Sequence, residues 1–325
     1  MKIPGIGQIL AERAGSQEVI EKAGREIEYC RKQGIDIYDL DDPRYPKRLK
    51  ECEDAPLILF YRGKMVLESS RALSIVGTRR ASAYGIECAE KLIRDLAVYY
   101  PETLIISGLA YGIDYTAHSM ALREGLPTVA VLGHGLHTIY PAEHRNMAQR
   151  ILEYGGLATD FDHLQRPERN NFIKRNRIIA GLSNATIVVE SGKTGGALIT
   201  ADIAASYNRD VFAFPGRVGD RKSAGCNDYI KRNKAALIED IEDLEYFLGW
   251  ERDRGGKPAR QKVLFSDYTD LQKQILKTLK DGEVLNSDSI SLLTDMPVSR
   301  VSAELLKLEF EGQVRVLPGG QYKRV

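Results

Sequence analysis

Net charge is almost absent: 46 lysines and arginines face 45 aspartates and glutamates over 325 residues. Bulk charge therefore cannot draw in nucleic acid, and any such surface must come from local clustering. Cysteine is scarce. Cys30, Cys52, Cys88 and Cys226 lie far apart with no Cys-x-x-Cys pair, which argues against a disulfide framework and for reduced thiols in a cytoplasmic protein. No apolar run approaches membrane-spanning length and no signal-peptide pattern opens the chain, so neither a membrane span nor secretion is expected.

Signatures of nucleotide and metal chemistry are missing too. Ser191-Gly-Lys-Thr194 imitates the end of a Walker A loop, but the glycine required five residues before its Gly-Lys is Ile187, inside an apolar strand-like run. No Gly-x-Gly-x-x-Gly follows the first strand of the main alternation, so a dinucleotide is not supported. Asp114 and His118 sit one helical turn apart, yet no third ligand lies at zincin spacing. Asp114 follows a glycine-rich loop, where capping of a helix is the expected role. No metal or cofactor is expected, and no catalytic residue is assigned.

What the chain does have is organised around Ala72–Ala81. Leu73–Val76 is uncharged and apolar, as suits a strand buried on both faces. It breaks at Gly77 into Thr78-Arg79-Arg80, and a helix-like segment follows from Tyr84. Ligands of open α/β sheets bind at the carboxyl ends of the strands, where this turn falls. Backbone N–H groups and two arginines equip it for phosphate.

The alternation continues. Strand-like runs at Leu104–Ser107, Thr128–Leu132, Gly156–Thr159, Thr186–Glu190 and Val211–Phe214 are interleaved with helix-like segments at Tyr84–Tyr100, Tyr115–Glu124, Ala142–Glu153, Ile173–Leu182 and Ala197–Tyr207. This spacing predicts a doubly wound, mostly parallel α/β sheet with small-residue loops along one edge. Leu57–Tyr61 is a β-rich run ahead of it. Residues 1–50 look helical, and Ile3-Pro-Gly-Ile-Gly7 resembles the hairpin of a helix-hairpin-helix, with a plain helix–helix turn preferred. Residues 51–250 form the core, and Glu251–Lys262, rich in Arg, Lys, Gly and Pro, reads as a linker. Over 263–325, helical periodicity at Asp270–Lys280, Ser287–Thr294 and Val298–Glu311, then a hairpin turning at Pro318-Gly-Gly320, gives a winged-helix pattern. Its third helix balances Glu304, Glu309 and Glu311 against Arg300 and Lys307, so a protein-contact or regulatory role stands level with groove reading.

The segment Arg166–Arg177 carries Arg166, Arg169, Lys174, Arg175 and Arg177 against Glu168 alone, with Asn170, Asn171, Phe172 and Asn176 between them. Charges track a nucleic-acid backbone while a ring stacks on a base. A solvated helix start with Phe172 in the core explains the segment equally well by itself, and the loops on the same sheet edge tip the balance to phosphate. Gly195-Gly196 adds a flexible turn into a helix whose N-terminal N–H groups face an anion favourably.

The order of these pieces resembles the DNA-processing DprA family, also called Smf. The resemblance rests on Ile75-Val-Gly-Thr-Arg79, Ser107-Gly-Leu-Ala-Tyr-Gly-Ile-Asp114 with Ala117-His118, Ala130-Val-Leu-Gly133 leading to Tyr140-Pro141, Arg175-Asn-Arg-Ile-Ile-Ala-Gly-Leu-Ser183, Gly196-Ala-Leu-Ile-Thr-Ala201, Val211-Phe-Ala-Phe-Pro-Gly216 and Gly225-Cys-Asn227. It spans about Asp42 to Leu248, and the amino-terminal part looks short for the family. It implies an extended Rossmann-like core that binds single-stranded DNA without strong sequence preference, forms a homodimer, and helps load RecA onto incoming strands in natural transformation. It also implies a site: Arg79 as the main phosphate-pocket arginine; the loops at Gly77 and at Ser107, Gly108, Leu109, Ala110 and Gly112 shaping the pocket; Lys174, Arg175, Asn176 and Arg177 flanking it; and a contact at His144-Arg145. The residues themselves add Thr78, Arg80, Phe172, Gly195 and Gly196 to the phosphate-binding set. The sequence departs from the family pattern at His144, where asparagine is usual, at Thr159–Asp162, at Ile173 and at Gly195. The rival reading is an enzyme related to the nucleoside-monophosphate phosphoribohydrolases. These carry a glutamate after their glycine loop, whereas Gly195-Gly196 leads into Ala197-Leu198-Ile199-Thr200.

Overall fold

The structure, a computed structural model, describes residues 16–64, 67–252, 269–279, 284–310, 313–317 and 320–324. The Ile3–Gly7 hairpin, most of the expected linker and Pro318-Gly319 lie outside the described residues. Two compact units divide the chain, Met1–Gly256 and Lys257–Val325.

The first unit is built on a nine-stranded sheet in the order β1-β2-β6-β5-β4-β3-β7-β8-β9. Its strands are β1 (Asp36–Asp39), β2 (Ile58–Gly63), β3 (Ala72–Gly77), β4 (Leu104–Ser107), β5 (Thr128–Val131), β6 (Gly155–Thr159), β7 (Ala185–Glu190), β8 (Asp210–Ala213) and β9 (Ala236–Leu237). All neighbours from β6 to β9 in this order pair in parallel, whereas β2 on β6 and β1 on β2 are antiparallel. The apolar runs seen in sequence are the strands buried on both faces, and β3 lies at the middle of the parallel part of the sheet.

The first unit's helices are α1 (Gln17–Gln33), α2 (Lys47–Lys50), α3 (Ala83–Tyr99), α4 (Ile113–Glu124), α5 (Arg145–Tyr154), α6 (Arg169–Leu182), α7 (Gly196–Ser206), α8 (Ala224–Lys231) and α9 (Ile241–Leu248). Leu73 and Ile75 of β3 pack with Leu92 and Ile93 of α3 and Ala117 and Met120 of α4. Ala72 and Val76 point the other way, into a core shared with Ile178 and Ile179 of α6 and Ala201 and Ala204 of α7. The chain thus winds outward from β3 through β4, β5 and β6, then returns through α6 to lay β7 on the other side of β3. That reversal is the topological switch point of a doubly wound sheet, and it leaves a crevice beyond the carboxyl ends of β3 and β7.

One expectation needs correcting. The first 50 residues are not wholly helical, because Asp36–Asp39 pairs with Ile58–Tyr61 at the sheet edge. Four residues beginning and ending in aspartate carry almost no strand signal by themselves, and the partner strand supplies the order. The short α8, α9 and β9 also escaped the sequence reading.

The second unit comprises α10 (Asp270–Thr278), α11 (Ser287–Thr294), α12 (Val298–Phe310) and a three-stranded sheet in the order β10-β12-β11, with β10 (Val284–Asn286), β11 (Val314–Leu317) and β12 (Gln321–Arg324). Thr269 and Gln272 form a reciprocal capping box at the start of α10. Ile275, Leu279, Ile290, Val301, Leu305 and Leu308 close a core of its own. Three helices and a wing strand pair are the winged-helix architecture the periodicity predicts.

Candidate nucleic-acid interface

Loops from four elements meet at the switch point around a crevice of about 620 Å³, within the usual range for a ligand site. Gly77 ends β3 and Thr78 and Arg79 follow it, Ala110 follows β4, Phe172, Arg175 and Asn176 lie on α6, and Gly195 and Gly196 open α7. Nine of the residues singled out in sequence are therefore brought together. Arg80, Ser107, Gly108, Leu109, Gly112, Arg145, Lys174 and Arg177 are not among its lining residues.

Local chemistry explains both groups. Gly77 lets β3 end tightly under α4, since an added Cβ would come within 2.5 Å of the Ile113 side chain. The Thr78 N–H donates to the Glu190 carbonyl at 2.7 Å, and the Ile113 N–H to the Thr78 carbonyl at 3.2 Å. Arg79 then stands exposed, its guanidinium 5.8 Å from the centroid of the Phe172 ring. Among the described residues neither Arg79 nor Arg169, which also lines the crevice, forms an ion pair. No Arg79–Asp114 ion pair forms among them either.

Arg175 behaves differently from the phosphate-gripping side chain expected of it. It is only 4 % exposed. One terminal nitrogen donates to the Gly108 carbonyl at 2.8 Å and also to the Val131 carbonyl. Burial pulls its guanidinium down to about 10, Arg79 pushing the same way and Asp114 opposing. Asp114 is buried beside it, and desolvation raises its carboxyl above the ordinary range against the pull of Arg175. It does not cap its helix from the N-cap position, which is Gly112. Instead its carboxylate reaches back to accept the Gly108 and Ala110 N–H groups at 3.2 and 3.4 Å. Asp114 and Arg175 therefore hold the β4–α4 loop between them and compensate one another, which leaves Arg79 and Arg169 as the positive charge facing solvent.

Ser107 and Leu109 are likewise scaffold, because both are fully buried: the Ser107 hydroxyl donates to the Ile75 carbonyl at 2.6 Å and Leu109 sits in the core. Gly112 packs on the backbone of Thr78 and Arg79. Arg177 turns away, bonding Asp160 at 2.5 Å and the Asp54 carbonyl, so its charge is already matched. Arg80, Arg145 and Lys174 are exposed outside the crevice. His118 is fully buried with Nδ1 2.7 Å from the Thr128 hydroxyl, and among the described residues no acidic, histidine or cysteine group could hold a metal ion.

Glu190 was missed. Fully buried at the end of β7, it accepts the Ser82 N–H at 2.8 Å and the Ser82 hydroxyl at 2.5 Å, while the Ser82 hydroxyl accepts the Gly85 N–H at 3.1 Å. This fixes the far end of the Thr78–Ser82 turn. A carboxylate closing an otherwise apolar strand was the available signal. Across the crevice, α7 has Gly195 at its N-cap position with no side-chain cap, and Gly195, Gly196 and Ala197 line the cavity; an uncapped helix start is a favourable place for an anion. Ser191, Gly192 and Thr194 complete that wall.

Fold and site together define a class: a doubly wound α/β protein with a cationic, aromatic-lipped crevice at its switch point and a separate winged-helix unit. Comparison with known proteins narrows it. Residues 36–249 match the family described as DNA recombination-mediator protein A, and residues 258–320 match the DprA winged helix domain. The chain is 32 % identical to a Mycobacterium tuberculosis putative DNA processing protein DprA over 320 residues, covering 94 % of this chain and 82 % of that one. It is 36 % identical to Escherichia coli protein Smf over 288 residues, covering 86 % and 75 %. The solved structure of Streptococcus pneumoniae DNA processing protein A superposes with a TM-score of 0.63 at 36 % identity, covering 67 % of this chain and 75 % of that one. A Helicobacter pylori DNA processing protein A, described for its single-stranded DNA binding mode, gives 0.59 at 26 % identity, covering 66 % and 95 %. The chain belongs to the DprA/Smf family.

Proposed function

We propose that this chain binds single-stranded DNA through its phosphate backbone at the switch-point crevice, with little sequence preference. The observation that carries the reading is Arg79: exposed, without an ion-pair partner among the described residues, held beside Phe172, and lining the same crevice as Gly195 and Gly196 at the uncapped start of α7. A guanidinium grips a phosphate with two donors, and a neighbouring ring offers a base a stacking face. A solved relative is described as a single-stranded DNA binder, which supports the same ligand here. Binding sites on residues 51–250 and a separate winged-helix domain over 263–325 complete the arrangement. In this role the protein protects incoming strands and helps load RecA during natural transformation, acting as a cytoplasmic homodimer. Among the described residues no helix is long and apolar enough to cross a membrane.

The chain acts by binding and not by turnover. The phosphoribohydrolase reading needs a free acid beside the glycine loop, and among the described residues the only carboxylate lining the crevice is Asp114, which is buried and engaged with two N–H groups. Incubation with nucleoside monophosphates should release no base above background. Arg79→Ala should weaken single-strand binding by about tenfold or more, the worth of a charge-assisted hydrogen bond. The salt slope should become shallower by about 0.7 for each phosphate no longer gripped, and Arg79→Lys should restore binding only in part. A folded Arg79→Ala protein with unchanged affinity and slope contradicts the proposal.

A further inference from the structure

We propose that the single strand leaves the crevice along a line of exposed tyrosines, Tyr140, Tyr111 and Tyr115, whose rings stack on successive bases. This rests on the reading that the ligand is single-stranded DNA, and it adds the direction of the strand and the residues that receive its bases.

The line begins at the crevice lip, where Tyr140 lies 5.6 Å from Phe172, ring to ring, at 34°. From there the chain turns through Ala142–His144 into α5. His144 is buried, with Nδ1 2.9 Å from the Leu109 carbonyl. Its ring lies 4.8 Å from both Tyr111 and Tyr115, at 69° and 40°. The Tyr111 hydroxyl bonds Glu143 at 2.9 Å, and that bond is the main cause raising its ionisation, with Tyr140 near enough to contribute. One buried imidazole thus backs two tyrosines from below and the same short turn carries the third.

Exposure separates this group from packing tyrosines. Tyr140, Tyr111 and Tyr115 are 48, 43 and 40 % exposed, whereas Tyr61 and Tyr100, which pack in the core, are 1 and 3 %. Rings already fixed on one side lose little freedom when a base covers the other, and stacking tolerates any base. Glu143, exposed on the same turn, disfavours a phosphate at this point. The bases therefore turn toward the rings while the backbone follows Arg79 and Arg169.

The test uses the full chain with labelled strands of about 4 and about 16 nucleotides, the span of common single-strand sites. Tyr111→Ala with Tyr115→Ala should weaken the longer strand about tenfold or more and leave the shorter one unchanged. Because stacking releases no counterions, the salt slope should stay at its wild-type value, unlike that of Arg79→Ala. Tyr111→Phe with Tyr115→Phe should retain wild-type affinity, since rings and not hydroxyls carry the contact. A 2-aminopurine base in the longer strand, beyond the segment held in the crevice, should be quenched on binding wild-type protein and not the alanine pair. Unchanged long-strand affinity in the folded alanine pair overturns the inference. So does a phenylalanine pair as weak as the alanine pair, or a 2-aminopurine signal that binding never alters. Any of these beside a weakened Arg79→Ala leaves the parent reading standing. No binding of either strand by the wild type removes both.

Discussion

Replacing Gly112 by alanine tests whether the loop after β4 holds Arg79 in place. Gly112 has φ 73° and ψ −124°, and an added Cβ would sit 2.2 Å from the Thr78 carbonyl oxygen, with the Arg79 carbonyl carbon and oxygen at 2.8 and 2.9 Å. These are backbone atoms and cannot rotate away. The backbone strain is worth about 1–3 kcal/mol, and forced displacement of packed atoms about 1–3 kcal/mol more. The sum, about 2–6 kcal/mol, lowers Tm by roughly 5–20 °C for a domain of this size. The control is Gly125→Ala, at φ 77° with nothing within 4 Å of the new Cβ, which should cost about 1–2 kcal/mol for its left-handed backbone alone. Thermal denaturation followed by circular dichroism measures the first effect, and anisotropy with a labelled single strand measures the second. Gly112→Ala should lose affinity toward the level of Arg79→Ala, because the turn bearing Arg79 must move. Gly125→Ala should bind as wild type. If Gly112→Ala melts like Gly125→Ala and binds normally, the close apposition of the two loops does not position the arginine.

Acid should expose the buried histidine. Burial, reinforced by Arg175 and His144, pushes His118 down to about 3 from 6.5. The unfolded chain takes up a proton that the folded one refuses, so the stability is whole above about pH 6.5 and is lost progressively as pH falls toward 3. Urea midpoints measured from pH 7 to pH 4 should fall for the wild type and fall less for His118→Gln; parallel curves would refute this. A fragment ending at Arg252 should melt cooperatively and keep most of the single-strand affinity, because the cores of the two units share no residue. Near-complete loss of binding by that folded fragment would make the winged-helix unit a primary DNA site.

The doubly wound core was legible because its strands are short apolar runs that end in glycine or small residues, as at Val76-Gly77 and Ser107-Gly108. The edge strand Asp36–Asp39 was not, since its order comes from β2 and not from its own residues. In the site, Arg79 could be read from strand, glycine and charge in succession. Arg175 could not be distinguished from it, because both are arginines in basic segments. What separates them is tertiary: Arg175 is drawn under the β4–α4 loop by Asp114 and two carbonyls contributed from elsewhere in the chain. The clamp of Glu190 on Ser82, 108 residues apart, and the backing of Tyr111 and Tyr115 by His144 are non-local in the same way. Periodicity finds elements, and only the closed fold sorts equal side chains into scaffold and ligand-facing groups.

The central claim is that a single strand is held by its phosphates at the switch-point crevice. It is tested most directly by titrating the full chain with a labelled single strand and with its duplex, each at two salt concentrations. The account predicts tighter binding of the single strand, whose bases are free to stack. It also predicts that log K falls with log salt by about 0.7 for each phosphate held. Duplex binding equal to or tighter than single-strand binding, or single-strand affinity indifferent to salt, would contradict it.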